Sequence, residues 1–188
     1  LFISFHDYFV FTPVFTMSGI TDPFDAVSSD GSMAHFGTDI APFLKQRFNH
    51  LGNSIAKADK LITPAPYLAR LIEQAFKHRV DVIEIGIEPF ETARRTAPPG
   101  PELRFGYVGS MIPQKGWDFL AKSFAEVHRR YPGAELLMFG GGTPPPINLP
   151  GVRFMGGYKP EELPGIMAQF DIGVIPSVFA ETFSMMLS

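Results

Sequence analysis

Short apolar runs alternate with segments of helical periodicity along the first 86 residues. Residues 1–5, 60–63 and 80–85 predict strands, and residues 66–76 predict a helix with proline in its first turn. Residues 8–38, rich in Gly, Ser, Asp and Pro, predict a long irregular loop. A further helix is predicted from an N-cap at Asp39, and its apolar face holds Ile40, Phe43, Leu44, Phe48, Leu51 and Ile55.

The same alternation returns after residue 101. The pattern predicts a strand at 103–108, a helix at 116–130, strands at 135–139 and 152–155, a helix at 160–170 and a strand at 171–175. Because residues 135–139 are almost uniformly apolar, their strand should be buried on both faces, with helices on each side of a parallel sheet. The proline-rich residues 87–101 lack periodicity and predict a linker between domains at 1–86 and 102–188.

Composition and charge narrow the class of protein. The chain has 188 residues and a net charge of -3 without a basic block, so nucleic acid is not an expected partner. It contains no cysteine, which excludes disulfides and fits a reducing compartment. No stretch approaches the roughly 20 apolar residues of a membrane-spanning helix. A start without Met and an end inside a predicted helix lead us to expect a fragment of a longer protein.

Two glycines and a lysine follow the strand at 103–108. Gly109 and Ser110 come directly after it, and Lys115 and Gly116 open the next helix. A loop at the carboxyl edge of a parallel sheet can reach a diphosphate with such a lysine. The same residues are explained equally well by backbone turns and a solvated lysine. From the residues alone, both interpretations stay open.

A second candidate site lies near the end of the chain. An apolar strand ends at Pro176, and a helix is predicted to open a few residues later, so the amides of Thr182, Phe183 and Ser184 should point outward and attract an anion. Glu181 adds an acid at this turn. The structural alternative for Glu181 is a favourable charge near a helix N-terminus, worth roughly 0.3–1 kcal/mol.

Histidine side chains are candidates for catalytic groups and for metal ligands. His6 directly follows the first strand, where a histidine more often has a structural role. The other histidines lack metal-ligand spacing, and the sequence holds no Asp-x-Asp pair, so no metal cofactor is expected. Met155, in the strand at 152–155, is either a core residue or the wall of a binding site.

Taken together, these motifs resemble the family-4 glycosyltransferases, which are retaining, metal-independent enzymes with a GT-B fold. The resemblance implies an α/β protein of two Rossmann-like parallel-sheet domains, both incomplete. Residues 1–86 would form the C-terminal part of the acceptor-side domain. Residues 87–101 would be the interdomain linker, and residues 102–188 a truncated domain that binds the donor nucleotide.

The resemblance also implies roles for single residues. His6 would face the donor sugar across the cleft, Lys115 would stabilise the leaving diphosphate, and Glu181 would accept hydrogen bonds from sugar hydroxyls. The family's second glutamate would be the residue after Ser188. The remaining donor-binding residues would be Gly109, Ser110, Met155, Thr182, Phe183 and Ser184.

The family resemblance predicts retaining transfer of a sugar from a nucleoside diphosphate sugar to a hydroxyl of a glycan, lipid or small molecule, with no cofactor. We expect a cytoplasmic protein, with peripheral contact at the inner membrane surface left open, and an isolated fragment without activity. Ser110 stands where the family usually has arginine, which favours an alternative, a nucleotide-sugar-binding module without catalysis. A dehydrogenase is a weaker alternative, because the glycine fingerprint is missing.

Overall fold

The chain folds into two compact units, each built on a parallel sheet. The computed structural model describes residues 1–11, 41–86, 102–141, 148–179 and 181–184. Unit 1 comprises Leu1–Ile87 and Phe179–Ser188, and unit 2 comprises Glu88–Val178. The α/β class with parallel, Rossmann-like sheets is confirmed. The domain ranges 1–86 and 102–188 stay predictions, and the segment after residue 178 clusters with unit 1.

In its described residues, unit 1 contains a three-stranded sheet and two helices. Along the chain these are β1 (Phe2–Ser4), α1 (Ala41–Ile55), β2 (Lys60–Thr63), α2 (Pro66–Phe76) and β3 (Val80–Val82). The strand order is β1-β2-β3, and both pairings are parallel. Proline occupies the first turn of α2, as predicted. An N–H group in the first turn has no acceptor within the helix, so proline loses no hydrogen bond there.

The core of unit 1 includes residues that the sequence assigned to a loop. Tyr8 and Phe11, at the start of the predicted loop, are completely buried, while the remainder of that loop lies outside the described residues. Phe48 of α1 stacks on Phe76 at 4.8 Å between ring centroids. Leu44 of α1 is buried as predicted. Phe43, predicted on the same face, is 59% exposed, so that part of the prediction is wrong.

In the described residues of unit 2, the elements are β4 (Arg104–Val108), α3 (Trp117–Arg130), β5 (Glu135–Phe139), β6 (Val152–Gly156), α4 (Leu163–Met167) and β7 (Ile172–Gly173). The four strands form one sheet in the order β6-β5-β4-β7, with every pairing parallel. The predicted strand at 135–139 is confirmed, and its last four residues are buried.

Side chains cover both faces of strand β4. Tyr107 packs with Phe124 of α3 in one apolar cluster. Gly106, the preceding residue, faces the other way, and a Cβ there would lie only 2.1 Å from the ring of Phe170. The two-sided burial predicted for this sheet is therefore present at its centre.

Three predicted elements are shorter than the sequence suggested. Strand β3 stops at Val82, although the next amide still bonds to the carbonyl oxygen of Thr63 at 3.0 Å. Strand β7 has two residues before the chain turns toward Pro176. The helix predicted at 160–170 begins as a 3-10 turn, Pro160–Glu162, and continues as the short α4, where a proline and a glycine weaken helix formation.

Candidate functional site

The strand order of unit 2 creates a crevice at the carboxyl end of β4. The chain moves from β4 to β5 and β6 on one side and then returns to place β7 on the other side. This reversal is the topological switch point, where open parallel sheets bind their ligands. Gly109, the first residue after β4, donates its N–H to the carbonyl oxygen of Phe139 at 2.9 Å. The predicted phosphate loop therefore starts at the switch point.

Main-chain and side-chain contacts fix the loop after β4. The hydroxyl of Tyr107 donates to the carbonyl oxygen of Ser110 at 2.7 Å, so the main chain of Ser110 is held from inside the sheet. A 3-10 turn, Pro113–Lys115, follows and closes with a bond from the Gly116 N–H to the Pro113 carbonyl oxygen at 3.0 Å. The sequence carried no signal for the role of Tyr107, which reads as an ordinary strand residue.

The same loop is joined to the chain that follows β7. Gly116 adopts φ 65°, a conformation that favours glycine, and a Cβ there would lie 2.0 Å from the carbonyl oxygen of Pro176. The N–H of Val178 donates to the carbonyl oxygen of Gln114 at 3.0 Å. Lys115, between these two contact points, is half-buried. The backbone that carries the lysine is thus held from both sides of the switch point.

A cavity of about 410 Å³ opens at the carboxyl ends of β5 and β6. Met155, a predicted donor-binding residue, is 39% exposed and lines it. Tyr158 lines it too, and partial burial raises the pKa of its hydroxyl. The rest of the lining was not singled out from the sequence: Phe139, Gly157, Glu162, Gly165, Ile166 and Gln169.

In unit 1, the structure brings His6 and Thr182 together. The hydroxyl of Thr182 donates to the carbonyl oxygen of His6 at 2.8 Å, although the two residues are 176 positions apart. The Nε2 atom of His6 lies 2.9 Å from the hydroxyl oxygen of Ser4. Two predicted site residues from opposite ends of the sequence are therefore neighbours in one unit.

Glu181, Phe183 and Ser184 are half-buried beside Thr182. None of the four belongs to a helix, so the helix predicted to open here does not include them. The reasoning from first-turn helix amides therefore does not apply to these four residues. The rest of the predicted helix, 185–188, lies outside the described residues. Lys115 belongs to unit 2 and Glu181 to unit 1.

The described residues were predicted to hold neither a metal site nor a membrane-spanning helix. Within the described ranges, no group of three or more His, Cys, Asp or Glu side chains is placed to hold a metal ion. In the same ranges, no helix has both the length and the apolar character needed to cross a bilayer.

Comparison with known proteins identifies a class for the second half of the chain. Residues 102–188 match the model of the family described as "Glycosyl transferases group 1", which is less than half of the chain. Combined with the parallel sheets, this match supports a glycosyltransferase of the GT-B type. The match contains the β4 loop, the 410 Å³ cavity and the segment around Glu181.

A particular relative agrees with that class. A "Phosphatidyl-myo-inositol mannosyltransferase" of Propionibacterium freudenreichii subsp. shermanii is 33% identical over 75 residues, which cover 40% of this chain. The aligned part is only 19% of that protein's length. Both comparisons support sugar transfer in general.

Proposed function

We propose that the protein transfers a sugar, with retention of configuration, from a nucleoside diphosphate sugar to a hydroxyl group of an acceptor. One observation carries the proposal: a lysine-bearing loop, fixed on both sides, lies at the switch point of a sheet whose sequence matches a glycosyltransferase family. Ligands of open parallel sheets bind at this edge.

Lys115 has the chemistry that the leaving group needs. In the transfer, the bond between the anomeric carbon and the phosphate oxygen breaks, and a bond from that carbon to the acceptor oxygen forms. Negative charge grows on the diphosphate as the first bond breaks, and the acceptor proton passes to the departing phosphate oxygen. An ammonium group beside that charge lowers the barrier, and no covalent intermediate with the protein is required.

The 410 Å³ cavity is the proposed place for the nucleobase. Its volume falls within the range of small-molecule sites, and Phe139, Met155 and Ile166 provide apolar walls. Tyr158 offers a hydroxyl to a ring oxygen or nitrogen. Gly109 and Ser110 would lie against the diphosphate. For the sugar, the family resemblance implies contacts with Glu181 and His6.

The test is Lys115→Ala in the full-length protein, assayed with uridine, guanosine and adenosine diphosphate sugars. We expect kcat/KM to fall at least tenfold, equivalent to about 1.4 kcal/mol of lost transition-state stabilisation. The matched control is Lys122→Ala, whose exposed ammonium pairs with Asp118 at 3.5 Å on the next helix. Unchanged kinetics in Lys115→Ala, or an equal loss in the control, would contradict the role of Lys115.

Calorimetric titration separates the two halves of the donor site. Lys115→Ala should weaken binding of both inorganic diphosphate and a nucleoside diphosphate. Met155→Ala should weaken only the nucleoside diphosphate, because the base and not the phosphate would contact that side chain. Equal effects of Met155→Ala on both ligands would argue against the cavity as the base site.

A module that binds nucleotide sugars without catalysis is the second candidate, because Ser110 leaves the β4 loop with one cation fewer than the family usually has. Tight binding of a nucleoside diphosphate sugar by the full-length protein, with no transfer to any acceptor, would favour this candidate over the enzyme.

A further inference from the structure

Two residues contact His6 at different atoms, one two positions away in the sequence and the other 176 positions away. The imidazole Nε2 lies 2.9 Å from the Ser4 hydroxyl oxygen, and the His6 carbonyl oxygen accepts a hydrogen bond from the Thr182 hydroxyl at 2.8 Å. Ser4 is the last residue of β1, two positions before His6, which is the spacing that places side chains on one side of an extended chain. One contact orients the ring, and the other holds the main chain that bears it.

The neighbours of His6 are also fixed. The N–H of Phe5 donates to the carbonyl oxygen of Ile62 at 2.8 Å, which extends the β1–β2 pairing up to the histidine. On the other side, the carboxylate of Asp7 accepts the N–H of Phe9 at 2.9 Å and closes a turn. The ring of His6 is exposed, but hydrogen bonds hold the backbone at Phe5, at His6 itself and at the turn that follows.

We propose that Ser4 and Thr182 are positioning residues for His6. The Ser4 hydroxyl contacts Nε2 and thereby restricts the rotation of the imidazole ring. Thr182 ties the His6 main chain to the segment of Glu181, so that both groups meet the same sugar. This inference rests on the proposed function, because positioning His6 matters for activity only if His6 contacts the transferred sugar.

The first test is ¹⁵N NMR of histidine-labelled protein without substrate. The His6 resonances, assigned by their loss in His6→Asn, should include an Nε2 resonance that the Ser4 hydroxyl displaces from the position of a free imidazole. Ser4→Ala should move the Nε2 resonance toward that of a free imidazole, and Ser4→Thr should restore it. No change in Ser4→Ala would overturn the role of Ser4. This readout needs no transfer activity.

The second test is kinetic. Ser4→Ala should lower kcat about three- to tenfold with little change in the KM for the donor, because orientation of His6 matters most in the transition state. Thr182→Val keeps the side-chain shape without the hydroxyl and should have a similar effect, and Thr182→Ser should recover most of the activity. In a His6→Ala background, neither Ser4→Ala nor Thr182→Val should lower kcat further.

The outcomes separate this inference from the proposed function. Equal losses from Thr182→Val in the wild-type and His6→Ala backgrounds would show that Thr182 acts independently of His6, which overturns its positioning role. An altered NMR signal in Ser4→Ala with unchanged kcat would show that the contact is only structural, which overturns the positioning role of Ser4. Absence of transfer from every donor by the wild type, with the NMR signature intact, would instead refute the proposed function.

Discussion

Replacing Gly116 by alanine tests the contact that joins the loops after β4 and β7. The residue has φ 65°, and an added Cβ would lie 2.0 Å from the carbonyl oxygen of Pro176, a backbone atom that cannot rotate away. The left-handed conformation costs an alanine about 1–2 kcal/mol. Relief of the overlap adds about 1–3 kcal/mol. We therefore expect Gly116→Ala to lower the free energy of unfolding by about 2–5 kcal/mol.

Gly156→Ala is the matched control. Gly156 also has a positive φ, 87°, but no atom lies within 4 Å of a Cβ built there. It should lose only the conformational part, about 1–2 kcal/mol. The assay is urea unfolding followed by the fluorescence of Trp117, the one tryptophan of the chain and the first residue of α3. This probe reports on the unit that contains both glycines.

The difference between the two variants isolates the contact with Pro176. Equal losses, or a loss below about 1 kcal/mol in Gly116→Ala, would refute the idea that this contact holds the loop. The same pair should differ in ligand binding. Because Lys115 precedes Gly116 directly, Gly116→Ala should weaken diphosphate binding more than Gly156→Ala does.

Two further predictions concern stability. Burial, with a smaller contribution from Tyr67, raises the pKa of Tyr8 to about 12, against about 10 in the unfolded chain. The contribution of the protonated Tyr8 to the free energy of unfolding is complete below pH 10 and is lost as the pH rises through 12, by up to about 2–3 kcal/mol. Tyr8→Phe should lack this loss when urea unfolding is measured across that pH range. Identical pH profiles for the wild type and the variant would contradict the prediction. Gly106→Ala forces a Cβ to within 2.1 Å of Phe170 and should lower the free energy of unfolding in urea by at least about 1–3 kcal/mol. Gly165→Ala, with open space around the added Cβ, should be neutral or stabilising. Similar values for the two variants would argue against tight packing at Gly106.

The sequence predicts those parts of the fold that depend on local periodicity. The apolar run 135–139 could be assigned to a buried strand, because few other environments accept four consecutive large apolar residues. Periodicity could not show that Phe43 is exposed, since this depends on what packs beside α1. Periodicity also overestimated the length of α4, because Pro164 and Gly165 oppose a helix that the apolar spacing favours.

The sequence likewise predicts some residues of the candidate site but not the hydrogen bonds that hold them. Loops after strands could be located, because glycines and a lysine follow apolar runs, so Gly109 and Lys115 could be named as candidates. The bonds from Tyr107 to Ser110 and from Thr182 to His6 could not be foreseen. A tyrosine in a strand and a threonine near a turn have many structural roles, and only the folded chain determines which acceptor each hydroxyl meets.

The bond between Thr182 and His6 has a consequence for synthesis of the protein. A ribosome adding about 5–20 residues per second needs roughly 9–35 s to reach Thr182 after it has placed His6 in the chain. All of unit 2 is translated in that interval. The hydrogen bond to the His6 carbonyl oxygen can therefore form only after the residues of the second sheet have been synthesised.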